Sequence, residues 1–164
     1  MKFPTMLPAV ALMALLTFSC STDSVEEEAI DAIAASYVPD TKVIEIEVME
    51  LINDHRISIG LTPLEPLSDI KAQAFGHTGY MIDQSEVSHD NFYVRRNNLM
   101  SSAGAQSVGE NVAYGFSYAP ALVAAWLNSE GHKAVIEGDY TNFDLSAEQD
   151  DNGRWYYTNI FIKR

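Results

Sequence analysis

The strongest constraint on the fold lies near the C-terminus. There Phe143-Asp144-Leu145-Ser146-Ala147 and Tyr156-Tyr157-Thr158-Asn159-Ile160-Phe161-Ile162 flank Asp150-Asp151-Asn152-Gly153. The two flanks alternate like strands, and an Asn-Gly pair supplies the positive φ angles of a tight turn, so the tail is predicted to be a β-hairpin. Val108 to Tyr114 reads as a further short strand.

Upstream the apolar period changes to that of helices. Ile44, Val48, Leu51, His55 and Ile59 recur at helical spacing, with Glu45, Glu47, Glu50, Asn53 and Asp54 mostly on other faces. Gly60 and then Pro63 stop this pattern. A second helix is predicted from Ser68 as N-cap, with Asp69 in its first turn and Ile70, Ala74, His77 and Met81 as its apolar face. A third has Pro120 near its start and buries Leu122, Val123, Trp126 and Leu127 before Gly131. Helices followed by late strands indicate an α+β sandwich around an antiparallel sheet.

The 164 residues suffice for a short export segment and one compact domain, and 17 aromatic side chains argue against disorder along the whole length. The formal charge of −13 excludes nucleic acid as a natural partner, because phosphate recognition needs a basic surface. Cys20 is the single cysteine, so neither an internal disulfide nor a CxxC metal site is available. Its position is informative. Lys2 precedes an apolar run, Pro8 to Leu16, too short for an ordinary membrane span, and the run ends Leu16-Thr17-Phe18-Ser19-Cys20. This resembles a bacterial lipobox, and cleavage before Cys20 would expose the residue that takes the lipid. Two alternatives are an ordinary cleaved secretory signal with an incidental cysteine, giving a secreted protein, and an uncleaved anchor. Expected divisions are therefore residues 1–19 as lipoprotein signal peptide, 20–41 as an acidic polar linker, with a short helical stretch around 26–36, and 42–164 as the folded domain. The acidic tract Ser21 to Glu28 also looks like those that send some lipoproteins to the outer face of the cell.

All four histidines fall in the domain. His77 lies on an apolar helix face, where a polar ring needs a partner or a cleft. Hydrogen bonding to backbone in the core is its structural reading. Glu110 interrupts an apolar strand, and a buried carboxylate must face a cleft or a cation. His132, after Gly131, reads as a C-terminal helix residue suited to the helix dipole, His89 as a loop residue, and His55 as a solvent-edge residue. No HExxH, GxSxG or P-loop pattern is present.

Taken in order, these segments form a recognisable series. Ile52-Asn53-Asp54-His55-Arg56 before Gly60-Leu61-Thr62-Pro63-Leu64, Ala74-Phe75-Gly76-His77, Ser88-His89-Asp90, Gly109-Glu110-Asn111-Val112-Ala113 and Trp126-Leu127-Asn128-Ser129-Glu130-Gly131-His132 together resemble the bacterial extracellular branch of the CAP, or SCP-like, family of cysteine-rich secretory proteins. The resemblance spans about residues 44–162. It implies a three-layer α-β-α sandwich with a central antiparallel sheet and an open cleft lined by His77, Glu110 and His132, which His89 and Ser129 would extend. In many eukaryotic members a second glutamate completes a His/Glu tetrad, and Ser129 holds that position here.

The resemblance also implies a site for zinc or another divalent cation, with His77 and His132 as ligands, since some members bind one there. Two functions follow as expectations. One is a lipid-anchored binding module of the cell envelope, placed on the outer membrane and displayed at the surface, with a small-molecule, lipid or protein ligand. The other is a metal-dependent hydrolase acting on envelope or extracellular polymer. A purely structural role for the cleft residues is the third reading.

Overall fold

In the computed structural model, residues 37–164 are described, and the signal segment, Cys20 and the stretch 26–36 lie outside them. Among the described residues five helices surround a four-stranded sheet: α1 (Val43–Ser58), β1 (Glu65–Pro66), α2 (Ser68–Gln84), α3 (Phe92–Ser102), β2 (Ser107–Tyr114), α4 (Ala119–Asn128), α5 (Glu130–Ile136), β3 (Asn142–Gln149) and β4 (Trp155–Lys163). The strand order is β1-β3-β4-β2. β2, β4 and β3 are antiparallel, and the short β1 joins the β3 edge in parallel.

Alternation along the strands makes the layers. Tyr157 and Phe161 of β4, with Phe143 and Leu145 of β3, pack with Val48 and Ile52 of α1, Leu122 and Trp126 of α4 and Ile136 of α5. Ile160 and Ile162, one residue out of phase, pack with Ile70 and Ala74 of α2 and Leu99 of α3 on the opposite face. The result is the expected α-β-α sandwich.

The predicted hairpin is present, but its turn is built differently. Asp150 N–H donates to Arg154 O, and Gly153 N–H donates to Asp150 O. Gly153 alone takes a positive φ, 74°. This is a three-residue connection closed by a left-handed glycine, and the Asp150 carboxylate stabilises it by accepting from the N–H groups of Asn152 and Arg154. Asn152 therefore has no need of the left-handed region.

The face of α1 is also rotated from the predicted one. Its buried positions are Glu45, Val48, Ile52 and Arg56, whereas Ile59 is half-exposed and Ile44, Leu51 and His55 flank the contact. Glu45 caps its own helix, accepting from Lys42 N–H at 2.7 Å. Gly60, at φ 81°, turns the chain out of the helix. α2 buries the four residues predicted, but Leu67 is its N-cap and makes no side-chain cap; Ser68 is already inside.

α3 has no counterpart in the sequence reading. Its buried side chains are Arg95 and Leu99, too sparse an apolar pattern to signal a helix. Later in the chain a break falls at Ser129, in extended conformation between α4 and α5. Gly131 and His132 consequently lie in the first turn of α5. His132 sits at the positive end of a helix dipole rather than the negative end expected from sequence.

Candidate functional site

β2 carries Glu110 on the α2/α3 face of the sheet, with its backbone register fixed against Ile160 of β4. Only 7% of the residue is exposed. Arg95, one turn into α3, approaches it side-on: Nε donates to Oε2 at 2.7 Å and Nη2 donates to Oε1 at 2.8 Å. The remaining Arg95 nitrogen, Nη1, donates to Asp90 O at 2.7 Å and ties the loop before α3 to the same pair. This fork-to-carboxylate geometry is the strongest form of the interaction, since two parallel charge-assisted hydrogen bonds also fix orientation.

Two histidines complete the cluster. His89 Nδ1 lies 2.8 Å from Glu110 Oε1. Because an ionised carboxylate only accepts, that nitrogen carries the proton, and Nε2 has no hydrogen-bond partner among the described residues on a half-exposed ring. His77, buried on α2, places Nε2 at 2.8 Å from the Ser88 carbonyl and 4.0 Å from Glu110 Oε1. A carbonyl also only accepts, so His77 donates through Nε2, and its ring stacks on Tyr80 with centroids 5.9 Å apart. The Tyr80 hydroxyl donates to Asp90 at 3.1 Å, so α2 and the loop before α3 are joined on both sides of the cluster.

The charges are internally balanced. Burial pushes the Glu110 carboxyl up, but hydrogen bonds from His89 and Arg95 outweigh it and hold it below the usual carboxylate range. Burial, and then the Arg95 charge, lower His77 and favour its neutral ring. His132 is lowered by burial and by the neighbouring His89. Its ring makes no hydrogen bond among the described residues, while its carbonyl accepts from Asn111 Nδ2 at 3.0 Å, which seats α5 on β2. Ser129 marks the α4–α5 break, and its hydroxyl makes no hydrogen bond among the described residues.

Of the five residues singled out from sequence, the structure thus joins His89 and Glu110 by a hydrogen bond and places His77 Nε2 4.0 Å from the same carboxylate. It sets His132 beside them without a bond. Arg95 was missed. The requirement that Glu110 face a cleft or a cation was readable, but nothing local to Phe92-Tyr93-Val94-Arg95-Arg96 indicated which cation.

The partners these donors already hold decide whether they fit a divalent metal. Both Glu110 oxygens are already held by a guanidinium, which would repel a second cation at that carboxylate. His77 uses Nε2 on a backbone carbonyl. Among the described residues no group of three or more His, Cys, Asp or Glu side chains has the arrangement of a metal site. As hydrogen-bonded, the cluster does not fit a metal centre.

Comparison with known proteins places this fold in a family. The profile of the cysteine-rich secretory protein family, CAP, matches residues 49–161. The chain is 36% identical over 124 residues to the uncharacterized membrane protein YlbC of Bacillus subtilis, covering 73% of this chain and 34% of that protein. It is 31% identical over 105 residues to the uncharacterized protein YkwD of the same organism, covering 62% of this chain and 41% of that one. Among solved structures, an outer surface protein of Borrelia burgdorferi superimposes with a TM-score of 0.69 at 20% identity, over 78% of this chain and 98% of that one. An extracellular SCP-domain protein of Bacillus anthracis gives 0.64 at 27% identity, over 74% and 40%. The chain belongs to the cysteine-rich secretory protein (CAP) family. It spans only about a third to two fifths of the length of the curated relatives it matches.

Proposed function

We propose that the chain is a lipid-anchored recognition module of the cell envelope, whose cleft binds a neutral, hydrogen-bonding ligand through His89 and His132. The observation that carries this reading is the two-point capture of Glu110 by Arg95. A carboxylate held by a guanidinium and depressed below its ordinary range is a poor proton acceptor, which argues against work as a general base. What the cluster leaves open is imidazole: the second nitrogen of His89 and the ring of His132. Imidazole nitrogens donate and accept hydrogen bonds, which suits ligands rich in hydroxyl or amide groups. Metal-dependent hydrolysis would require Glu110 or His77 to give up these partners.

The deciding experiment is zinc content of the full chain after equilibration with zinc and dialysis at neutral pH, with imidazole nitrogen NMR on the same sample. The expected result is sub-stoichiometric zinc and a His77 ring protonated on Nε2. Stoichiometric zinc that disappears in His132→Ala would replace this reading with a metal centre.

Anchoring rests on the short basic start, the apolar run and Cys20, and is supported by the membrane and extracellular descriptions of two relatives. Among the described residues no helix is long and apolar enough to cross a membrane. Cys20→Ser is expected to abolish incorporation of a labelled fatty acid and move the protein out of the membrane fraction. Unchanged labelling would remove Cys20 as the anchor.

A further inference from the structure

A second cavity, of about 620 Å³, opens between the α1–β1 loop and the α5–β3 loop and shares no lining residue with the Glu110 cluster. Arg56 forms part of its wall while being only 2% exposed. The guanidinium is held by backbone carbonyls alone: Nε donates to Thr62 O at 3.0 Å, and Nη1 donates to Ile136 O at 2.6 Å and Gly138 O at 3.0 Å. Nη2 has no partner among the described residues, and it is not among the polar atoms enclosed by protein.

Two of the three carboxylates on the cavity wall are engaged elsewhere, and the third, Glu65, is exposed and forms no ion pair among the described residues. Asp139 pairs with Lys163 at 2.7 Å, and Glu137 takes His55 at 2.8 Å and Lys133 at 3.8 Å. No carboxylate among the described residues lies within ion-pair distance of Arg56, although 23 acidic side chains outnumber 10 basic ones in the sequence.

We propose that this cavity binds a carboxylate-bearing ligand, with Arg56 Nη2 as its fixed donor and the hydroxyl-bearing Thr62 and Tyr140 on its walls. Carbonyl dipoles satisfy two of the three guanidinium nitrogens and lock the fork, so the third is preorganised and loses little freedom on binding. A buried cation without a counter-ion is costly, and a carboxylate at Nη2 would supply one. Burial lowers the Arg56 pKa, and the Asp139 charge on the cavity rim offsets this only in part. The cavity's size is that of a site for a small organic molecule, not a lone ion. A free small acid and the C-terminal carboxylate of a peptide present the same chemistry.

The test is calorimetric titration of the full chain, in a non-ionic detergent, with phenylacetate and with its neutral amide. One equivalent of phenylacetate is expected to bind at least about tenfold more tightly than the amide, because the hydrogen bond to Nη2 is charge-assisted. Thr62→Trp, on the exposed wall, fills the cavity while leaving the Thr62 carbonyl and Arg56 in place, and should remove that binding without lowering the melting temperature. Arg56→Lys, which keeps the charge but lacks the fork, should weaken it by a similar factor. Equal affinity for acid and amide, no binding of either at millimolar concentration, or undiminished affinity in Thr62→Trp would each overturn the proposal. An acetylated dipeptide acid that binds more tightly than phenylacetate, while its C-amidated form does not, assigns the site to peptide C-termini. The reverse order assigns it to small acids.

Discussion

Two buried acid–base pairs lie on this fold, and they do different work. At the edge of the sheet, Glu45 of α1 meets Lys71 of α2 at 2.5 Å. β1 covers only Asn142 and Phe143 of β3, leaving the rest of that edge without a strand. The pair takes the strand's place: Glu45 Oε1 accepts from Ala147 N–H, and Lys71 Nζ donates to Leu145 O, both at 2.7 Å. An open edge of this kind would otherwise invite another chain. Across the sheet, Glu110 meets Arg95, but there the pair is ringed by histidines, one of which is half in solvent. Burial of charge is common to both. Polar atoms left over on a half-exposed ring belong only to the second, so exposure beside a buried pair, rather than burial itself, separates a candidate binding site from a structural clasp.

The sharpest way to break this comparison is to cut each clasp. Lys71→Met leaves buried Glu45 with only the more exposed Lys42 ammonium at 3.9 Å and Leu145 O without its donor, and should lower unfolding stability by about 3 kcal/mol. Adding Glu45→Gln to it should recover part of the loss, since the poorly compensated charge is then gone. Urea denaturation measures both. A loss below about 1 kcal/mol in the single variant would mean that the edge is sealed by something other than this pair.

Arg95→Met should cost less, about 2 kcal/mol, because His89 still donates to the Glu110 carboxylate. Its signature lies in pH dependence. Glu110 has a depressed folded pKa, so its contribution is present above the unfolded value and lost as pH falls through the folded one. The wild type should therefore lose stability below about pH 4, and Arg95→Met should show a smaller loss there. An identical acid limb in both proteins would show that Arg95 does not set the Glu110 charge.

What was legible in the sequence follows the range of the forces involved. The α2 face and the hairpin strands are set by local alternation, and both were read correctly. The α1 face was displaced because two of its buried residues are charged, and their partners are far away in sequence: Glu45 reaches Ala147, and Arg56 reaches Ile136. Hydrophobic periodicity assigns such residues to solvent. α3 failed for the same reason, with Arg95 as one of its two buried side chains. In the cleft, His77 and Glu110 were visible as polar residues in apolar patterns, and the series of motifs brought His89 and His132 beside them. The choice of a guanidinium as the cation for Glu110 is a tertiary fact, written in no spacing.

Asp144 offers the finest test, since it lies beside the sheet-edge pair and has no cation to itself. It is 5% exposed, and burial pushes its carboxyl up to about 6, against the opposing pull of its hydrogen bond from Leu145 N–H and of Lys71. A carboxyl raised on folding binds more protons in the native than in the unfolded state between its two pKa values, so stability falls as pH rises across that window. Between about pH 4 and pH 6 the wild type should thus lose stability on going upward, the opposite sense to Glu110. Asp144→Asn keeps the oxygen that accepts from Leu145 and removes the charge. It should be more stable than the wild type at pH 7 by about 2–3 kcal/mol, with the difference vanishing near pH 4. A variant that is equally displaced at both pH values would place the effect in packing, and would show that the edge pair neutralises Asp144 fully.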